Sequence, residues 1–463
     1  MDLQPIRDLL RTNNPWWASE RVPGWSAPPF RRREIADLMN SLERERVTVL
    51  AGLRRSGKTT LVHQAIEELI SRGVEPRRIV YARVDDMTLL GYGPMVFLGI
   101  LDVLSETSGK PPSDGAYAFF DEVQTVPDWG LALKNIWDRK SGVKMTATGS
   151  AGLIIRGAVG ESLAGRAETM ELGPMGLRDW AGLSSVRVRD ASLDAIVASD
   201  DPAKGMGDWI SMGSARSALA PILRRYLLIG GLPESVPASD EVPYFEHLLD
   251  DVVERVVFRD IPALYGLRQP RKLAKVLVLL ADKTGFPTSV DGLAKALPAR
   301  HETVEDYITF LLASRVIIEL QPFTGSEFSR ARSASKHYLA DTGLQNAIMH
   351  REMGTLADET IMGKLAEQAV AIHLCKLATR RWERIYYAPV HKGSEVDFVL
   401  QTRNGPLPIE CKYRSAVRDK EVAALDRYRE GIGARHAVMV TREELGRRGE
   451  CVLVPLWMFL IAE

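Results

Sequence analysis

The sequence predicts an α/β protein in successive parts: a parallel sheet covered by helices, a mostly helical middle, and a second, smaller α/β part at the end. Three observations predict it. A short apolar strand at 47–51 runs through a glycine-containing loop into an amphipathic helix at 60–70. Short apolar strands then alternate with helical stretches to about residue 180, as in a sheet buried on both faces. Beyond Gly363, one long helix is followed by several strands.

The whole chain sets bounds on these parts. Its 463 residues suffice for about three domains, and 45% hydrophobic residues allow a sizeable core. Lysine plus arginine and aspartate plus glutamate balance at 60 each, so any nucleic-acid binding has to come from local patches rather than a global field. Cys375, Cys411 and Cys451 lie far apart and form no metal-binding or disulfide pattern, which points to a reducing, cytoplasmic setting. No apolar run reaches the length of a membrane span, and the polar start is unlike a secretory signal.

Residues 1–45 read as an arm packed on the core, with Trp16, Trp17, Trp25, an arginine run at 31–33 expected to be a solvated face, and a helix at 34–42. Residues 46–185 form the expected core. Gly52-Leu53-Arg54-Arg55-Ser56-Gly57-Lys58-Thr59 fits the phosphate-cradling P-loop pattern at every fixed position, in the required order of strand, loop and helix. Glycines let backbone N–H groups turn toward phosphate oxygens, and the helix N-terminus adds to the field. ATP is therefore the expected ligand, bound by Gly52, Arg55, Ser56, Gly57, Lys58, Thr59 and Thr60, with Lys58 on the β- and γ-phosphates and Thr59 on Mg²⁺.

The strand at 117–120 ends in Asp121-Glu122, the Walker B arrangement. Asp121 is expected to hold Mg²⁺ through water, and Glu122 to orient and deprotonate the attacking water. The strand at 143–147 leads into Thr148-Gly149-Ser150, where Ser150 is expected to sense the γ-phosphate; Arg166 is the candidate sensor or arginine finger, acting either within its own subunit or on a neighbour in a homo-oligomer.

Residues 186–265 read as a linker and helical lid. From 266 to 350, helices at 289–297 and 302–313 followed by a strand at 316–320 suggest a winged helix-turn-helix. DNA is its expected partner, contacted by the second helix and by Arg330, Arg332 and Lys336.

These motifs in this order, together with Ser162-Leu163-Ala164-Gly165-Arg166 and Gly230-Gly231-Leu232-Pro233, resemble the prokaryotic AAA-type ATPases that carry a C-terminal domain of unknown function. The resemblance covers nearly the whole chain. It implies an AAA+ core, a winged-helix segment and a nuclease-like tail.

Within 351–463, segments at 395–400 and 407–412 read as a β-hairpin around a turn at 403–406. Period-2 alternation puts Glu410 and Lys412 on one face, near Asp397, while the preceding helix offers Glu367. This set resembles the PD-(D/E)XK nuclease fold. There Glu367, Asp397 and Glu410 would bind Mg²⁺ and Lys412 would position or activate water, because carboxylates suit that hard cation. Two functions follow as expectations: an ATP-driven DNA-processing enzyme with a nuclease tail, or an ATPase switch whose non-catalytic tail binds protein partners.

Overall fold

The structure is a computed structural model that describes residues 2–139, 142–150, 162–186, 188, 192–193, 216–236, 240–324, 330, 333–390 and 395–463. The chain divides into two compact units: the residues up to Gly173 with Ala313–Arg315, and Pro174–Leu312 with Val316–Glu463.

In the first unit, strands β1 (Val47–Gly52), β2 (Ile79–Arg83), β3 (Tyr117–Asp121), β4 (Lys144–Ser150) and β5 (Ala167–Glu171) form one parallel sheet in the order β2-β3-β4-β1-β5. All six residues of β1 are buried, which is why that strand is apolar throughout rather than alternating. The helices are α1 (Gln4–Asn13), α2 (Trp16–Ser19), α3 (Glu34–Leu42), α4 (Lys58–Ser71), α5 (Val96–Ser108) and α6 (Trp129–Asp138).

The N-terminal residues close the β2 edge of this sheet. The Asn14 side-chain amide donates to Tyr81 O at 2.8 Å and accepts from Tyr81 N–H at 2.6 Å, as a paired strand would. Both Trp16 and Trp17 donate their indole N–H to Ile79 O. Only Arg33 of the arginine run is exposed as expected. Arg31 pairs with Glu67 of α4, and buried Arg32 donates to Ser56 O at 3.0 Å and to Gly173 O at 3.0 Å.

The second unit begins with α7 (Leu177–Leu183) and α8 (Arg216–Ile229). A helical stretch over 241–265 leads on to α9 (Pro270–Asp282), α10 (Val290–Ala296) and α11 (His301–Ala313). Strands β6 (Pro287–Thr288), β7 (Ile317–Leu320) and β8 (Ser335–Leu339) make an antiparallel sheet in the order β6-β8-β7. The sequence reading had no strand at β8, because its Lys-His pair interrupts the apolar pattern.

Next come α12 (Thr342–Ile348) and the long α13 (Glu359–Arg381). A six-stranded mixed sheet then runs β13-β14-β12-β11-β10-β9, built from β9 (Arg384–Pro389), β10 (Glu395–Thr402), β11 (Gly405–Lys412), β12 (Ala437–Thr441), β13 (Gly446–Arg448) and β14 (Cys451–Pro455). The hairpin turn between β10 and β11 is Arg403-Asn404, and Pro406, expected in the turn, pairs with Gln401 inside the ladder.

The glycine pair at 230–231 has a structural task in this unit. Gly230 is left-handed (φ 80°), and a Cβ there would meet Asp341 Oδ1 at 2.0 Å. Asp341 accepts from Gly231 N–H at 2.6 Å and from Leu344 N–H at 3.0 Å, capping α12.

Candidate functional site

The P-loop leaves the C-terminal end of β1 and enters α4 at Lys58, with Gly57 in the left-handed region (φ 92°). Gly52 lies so close to the next segment that a Cβ would meet Leu172 O at 2.3 Å, so no side chain fits. Ser56 is fully buried inside the loop, and its hydroxyl has no hydrogen-bond partner among the described residues. Lys58 folds back onto Gly52 O at 3.0 Å and Leu53 O at 3.1 Å. Burial pushes its ammonium down from the ordinary value, against the pull of Glu122 and Asp121.

Strand β4 lies between β1 and β3, so the ends of three adjacent strands meet beside the loop. The Asp121 carboxylate accepts three hydroxyls there: Thr59 Oγ1 at 2.9 Å, Tyr81 OH at 2.8 Å and Thr148 Oγ1. Sequence reasoning missed Tyr81 and the Thr148 contact, since neither follows from a motif spacing. Burial and Asp121 push the Tyr81 phenol well up, so it stays a donor.

Glu122 sits at the end of β3 in a left-handed backbone (φ 59°), a conformation that costs about 1–3 kcal/mol and tends to mark functional positions. Burial, and then the neighbouring Asp121, raise its carboxyl above the ordinary value, while Gln124 Nε2 donates to it. A carboxyl raised in this way is a stronger base than an ordinary carboxylate.

The residues fit the expected metal. The Thr59 hydroxyl and an Asp121 carboxylate oxygen meet at 2.9 Å, the buried Ser56 hydroxyl of the same loop has no partner among the described residues, and hard oxygen donors suit Mg²⁺. When bound, the ion would supply charge neutralisation for the phosphates. The Ser150 side chain lies outside the described residues.

Arg166 requires a correction. It is at the start of β5, beside Val47, whose N–H bonds Arg166 O, whereas the P-loop leaves the other end of β1. Five residues of strand separate the two ends, roughly 17 Å. Arg166 pairs instead with Asp138 at 2.7 Å and lies 5.5 Å over the Trp137 ring, so it is no sensor for the nucleotide of its own subunit.

The tail residues do converge. Asp397 N–H donates to Glu410 Oε2 at 3.1 Å, Cys411 N–H donates to Asp397 Oδ2 at 2.8 Å, and Lys412 Nζ bonds Glu410 Oε1. A one-residue bulge in β10 between Val396 and Val399 re-aims Asp397. Helix α13 brings Glu367, held by the Tyr338 hydroxyl at 2.7 Å.

Lys336, expected on the surface as a DNA contact, is instead fully buried among these carboxylates. Its Nζ lies 2.8 Å from Glu395, 3.5 Å from Glu367 and 3.8 Å from Asp397. Burial, and then the neighbouring Asp397, push the Glu367 and Glu410 carboxyls above the ordinary value, while Lys336 and Lys412 pull the other way. As placed, Glu367, Asp397 and Glu410 do not fit a metal. An ammonium stands among the first two, a second engages Glu410, and no group of three or more metal-ligating side chains occurs among the described residues.

The DNA expectation also shifts. Arg330 donates to Thr324 O at 2.7 Å and lies over the Tyr386 ring, and Arg332 is outside the described residues. Helix α11 exposes Glu302, Glu305 and Asp306, an acidic face unsuited to phosphate. The basic feature nearby is a cleft of about 910 Å³ lined by Arg268, Lys272, Lys295 and Arg300. Among the described residues none of the four has an ion-pair partner, while His301 in the same cleft pairs with Asp291 at 2.7 Å.

Residues 44–180 match the family model described as an AAA domain, and residues 220–354 and 362–459 match two described as domains of unknown function, DUF8612 and DUF4143. An uncharacterized protein of Methanocaldococcus jannaschii is 21% identical over 404 residues, which cover 84% of this chain and 80% of that protein. An uncharacterized protein of Mycobacterium tuberculosis is 26% identical over 415 residues, covering 85% of this chain and 79% of its own. Among solved structures, AMPPCP-bound DnaA from Aquifex aeolicus is 14% identical with a TM-score of 0.24, covering 59% of this chain and 84% of that one. C. elegans PCH-2 is 16% identical with a TM-score of 0.23, covering 48% and 66%. No helix of the described residues is long and apolar enough to cross a membrane. The chain thus carries an AAA-type P-loop domain over residues 44–180, followed by two segments that match domains of unknown function.

Proposed function

We propose that this protein hydrolyses ATP in its first unit and binds nucleic acid on its second. The observation that carries the ATPase reading is the single cluster of Lys58, Thr59, Asp121 and Glu122 at the ends of β1 and β3. Lys58 would leave its two backbone carbonyls for the β- and γ-phosphates. Thr59 and Asp121 would hold Mg²⁺, and Glu122 would take the proton of the attacking water. Arg166, at the far end of the sheet, would serve only an oligomer, by reaching a neighbour's nucleotide.

The nucleic-acid reading is supported by the four unpaired cations of the cleft and by the helix and strand order around it, which suits a winged helix. Duplex DNA is the proposed ligand, bound through its phosphates. Cleavage of that DNA by the tail has no support in the carboxylate pocket. Lys336 there favours the second reading, an ATPase switch whose tail does not cut.

Turnover of ATP by the purified chain tests the first claim. Lys58→Ala should weaken nucleotide binding, whereas Glu122→Gln should keep binding and lose roughly 10²–10⁴-fold in turnover. Full turnover in Glu122→Gln would overturn the assignment of the base.

A further inference from the structure

Arg32 belongs to the N-terminal arm, yet its buried guanidinium holds the P-loop. It donates to Ser56 O at 3.0 Å, to Gly173 O at 3.0 Å and to Glu34 Oε1 at 3.2 Å. Ser56 lies in the second half of the loop, and Gly173 directly follows Leu172, whose carbonyl abuts Gly52 in the first half. One guanidinium therefore ties the loop to the segment that leaves β5. The arm is itself anchored on α4: Gln64 donates to Pro28 O at 2.8 Å and to Phe30 O at 2.7 Å, and Arg31 pairs with Glu67.

Holding a carbonyl in this way also aims an N–H group. In a trans peptide the C=O of one residue and the N–H of the next share a plane and point in opposite directions. With Ser56 O turned toward Arg32, Gly57 N–H is turned away from it. That N–H stands next to Lys58 and is among those the loop pattern directs at phosphate oxygens.

We propose, on the reading of this loop as an ATP site, that Arg32 is a positioning residue for the nucleotide: it fixes the Ser56–Gly57 peptide so that the loop meets the phosphates already aligned.

The task suits a guanidinium. Its two terminal nitrogens place donors on two carbonyls at once while the same charge satisfies Glu34, a fork that an ammonium lacks. Nothing in the P-loop spacing marks Arg32, which reads from sequence as one charge in a run of three. Because the phosphates meet the aligned loop in the ground state and the transition state alike, Arg32 should act on binding rather than on the chemical step.

Steady-state phosphate release by the full chain over a range of ATP concentrations tests the proposal. Arg32→Met keeps most of the stem and removes the donors. Its KM for ATP should rise at least roughly tenfold, the effect of one hydrogen bond to a charged group, while kcat stays within roughly threefold. A merely structural role predicts the reverse, fewer folded molecules and so a lower apparent kcat at unchanged KM, and that result would overturn the proposal. If Arg32→Met does not fold, Arg32→Lys takes its place. It keeps the charge beside Glu34 but not the fork, so KM should still rise roughly threefold or more, and an unchanged KM refutes the role. Lys58→Ala tells the two readings apart. Turnover that does not depend on Lys58, or none in wild type, would sink the ATP site and the role of Arg32 with it; Lys58-dependent turnover at wild-type KM in the Arg32 variant would sink the role of Arg32 alone.

Discussion

Replacing Asp121 separates its structural role from its metal-holding role. The carboxylate is buried and accepts from Thr59, Tyr81 and Thr148. Asp121→Ala leaves the buried Tyr81 and Thr148 hydroxyls without their acceptor, at about 1–3 kcal/mol each, while exposed Thr59 turns to water. Removing a buried charge returns part of that loss, so the net destabilisation should be about 3 kcal/mol. Asp121→Asn keeps one acceptor oxygen, and the hydroxyl rotors can reverse to accept from its amide, so it should cost under about 1 kcal/mol. Both variants lose the charge opposite Thr59, and Mg²⁺-dependent turnover should fall by roughly 10²-fold or more. Urea unfolding read by hydrogen exchange in β1, β3 and β4 measures the first quantity, and phosphate release the second. If Asp121→Asn keeps more than about a tenth of wild-type turnover, the carboxylate does not hold the metal. If the two variants are equally stable, the three-hydroxyl network is drawn wrongly.

Three further outcomes are expected. Changing Arg268, Lys272, Lys295 and Arg300 together to Ala should flatten the slope of log affinity for duplex DNA against log salt by about 3–4, at about 0.9 per phosphate; an unchanged slope would move the DNA elsewhere. Burial raises Asp341 to about 6, above its unfolded value, so its contribution to stability is fully present only below the unfolded value and is lost as pH rises through 6. From pH 7.5 to 5 that group should add about 1.4 kcal/mol to the second unit, measured as a denaturant shift in wild type that Asp341→Asn lacks; equal shifts in both would refute it. In mixtures of Arg166→Ala with Glu122→Gln subunits, hydrolysis should return if Arg166 acts on a neighbour. Co-assembled mixtures that stay inactive would leave it as the partner of Asp138.

Local chemistry made much of this molecule legible in advance. The strand, glycine loop and helix around Lys58, the Asp121-Glu122 strand end, and the hairpin carrying Asp397, Glu410 and Lys412 depend on short-range patterns, and a single sequence carries those. Where the sequence reading failed, long-range placement was at work. Arg166 follows a familiar motif, yet the register of β5 against β1 sends it to the wrong end of the sheet. Arg32 and Lys336 look like surface charges, because sequence says nothing about which cations will find buried carbonyls or carboxylates. The β10 bulge, the three hydroxyls on Asp121 and the bracing of Gly230 against Asp341 join residues up to about a hundred positions apart, so they exist only once the chain has folded. Sequence alone thus determined which chemical groups this protein owns. Tertiary structure decided which of them meet, because pairing between distant segments is set by packing and burial rather than by spacing along the chain.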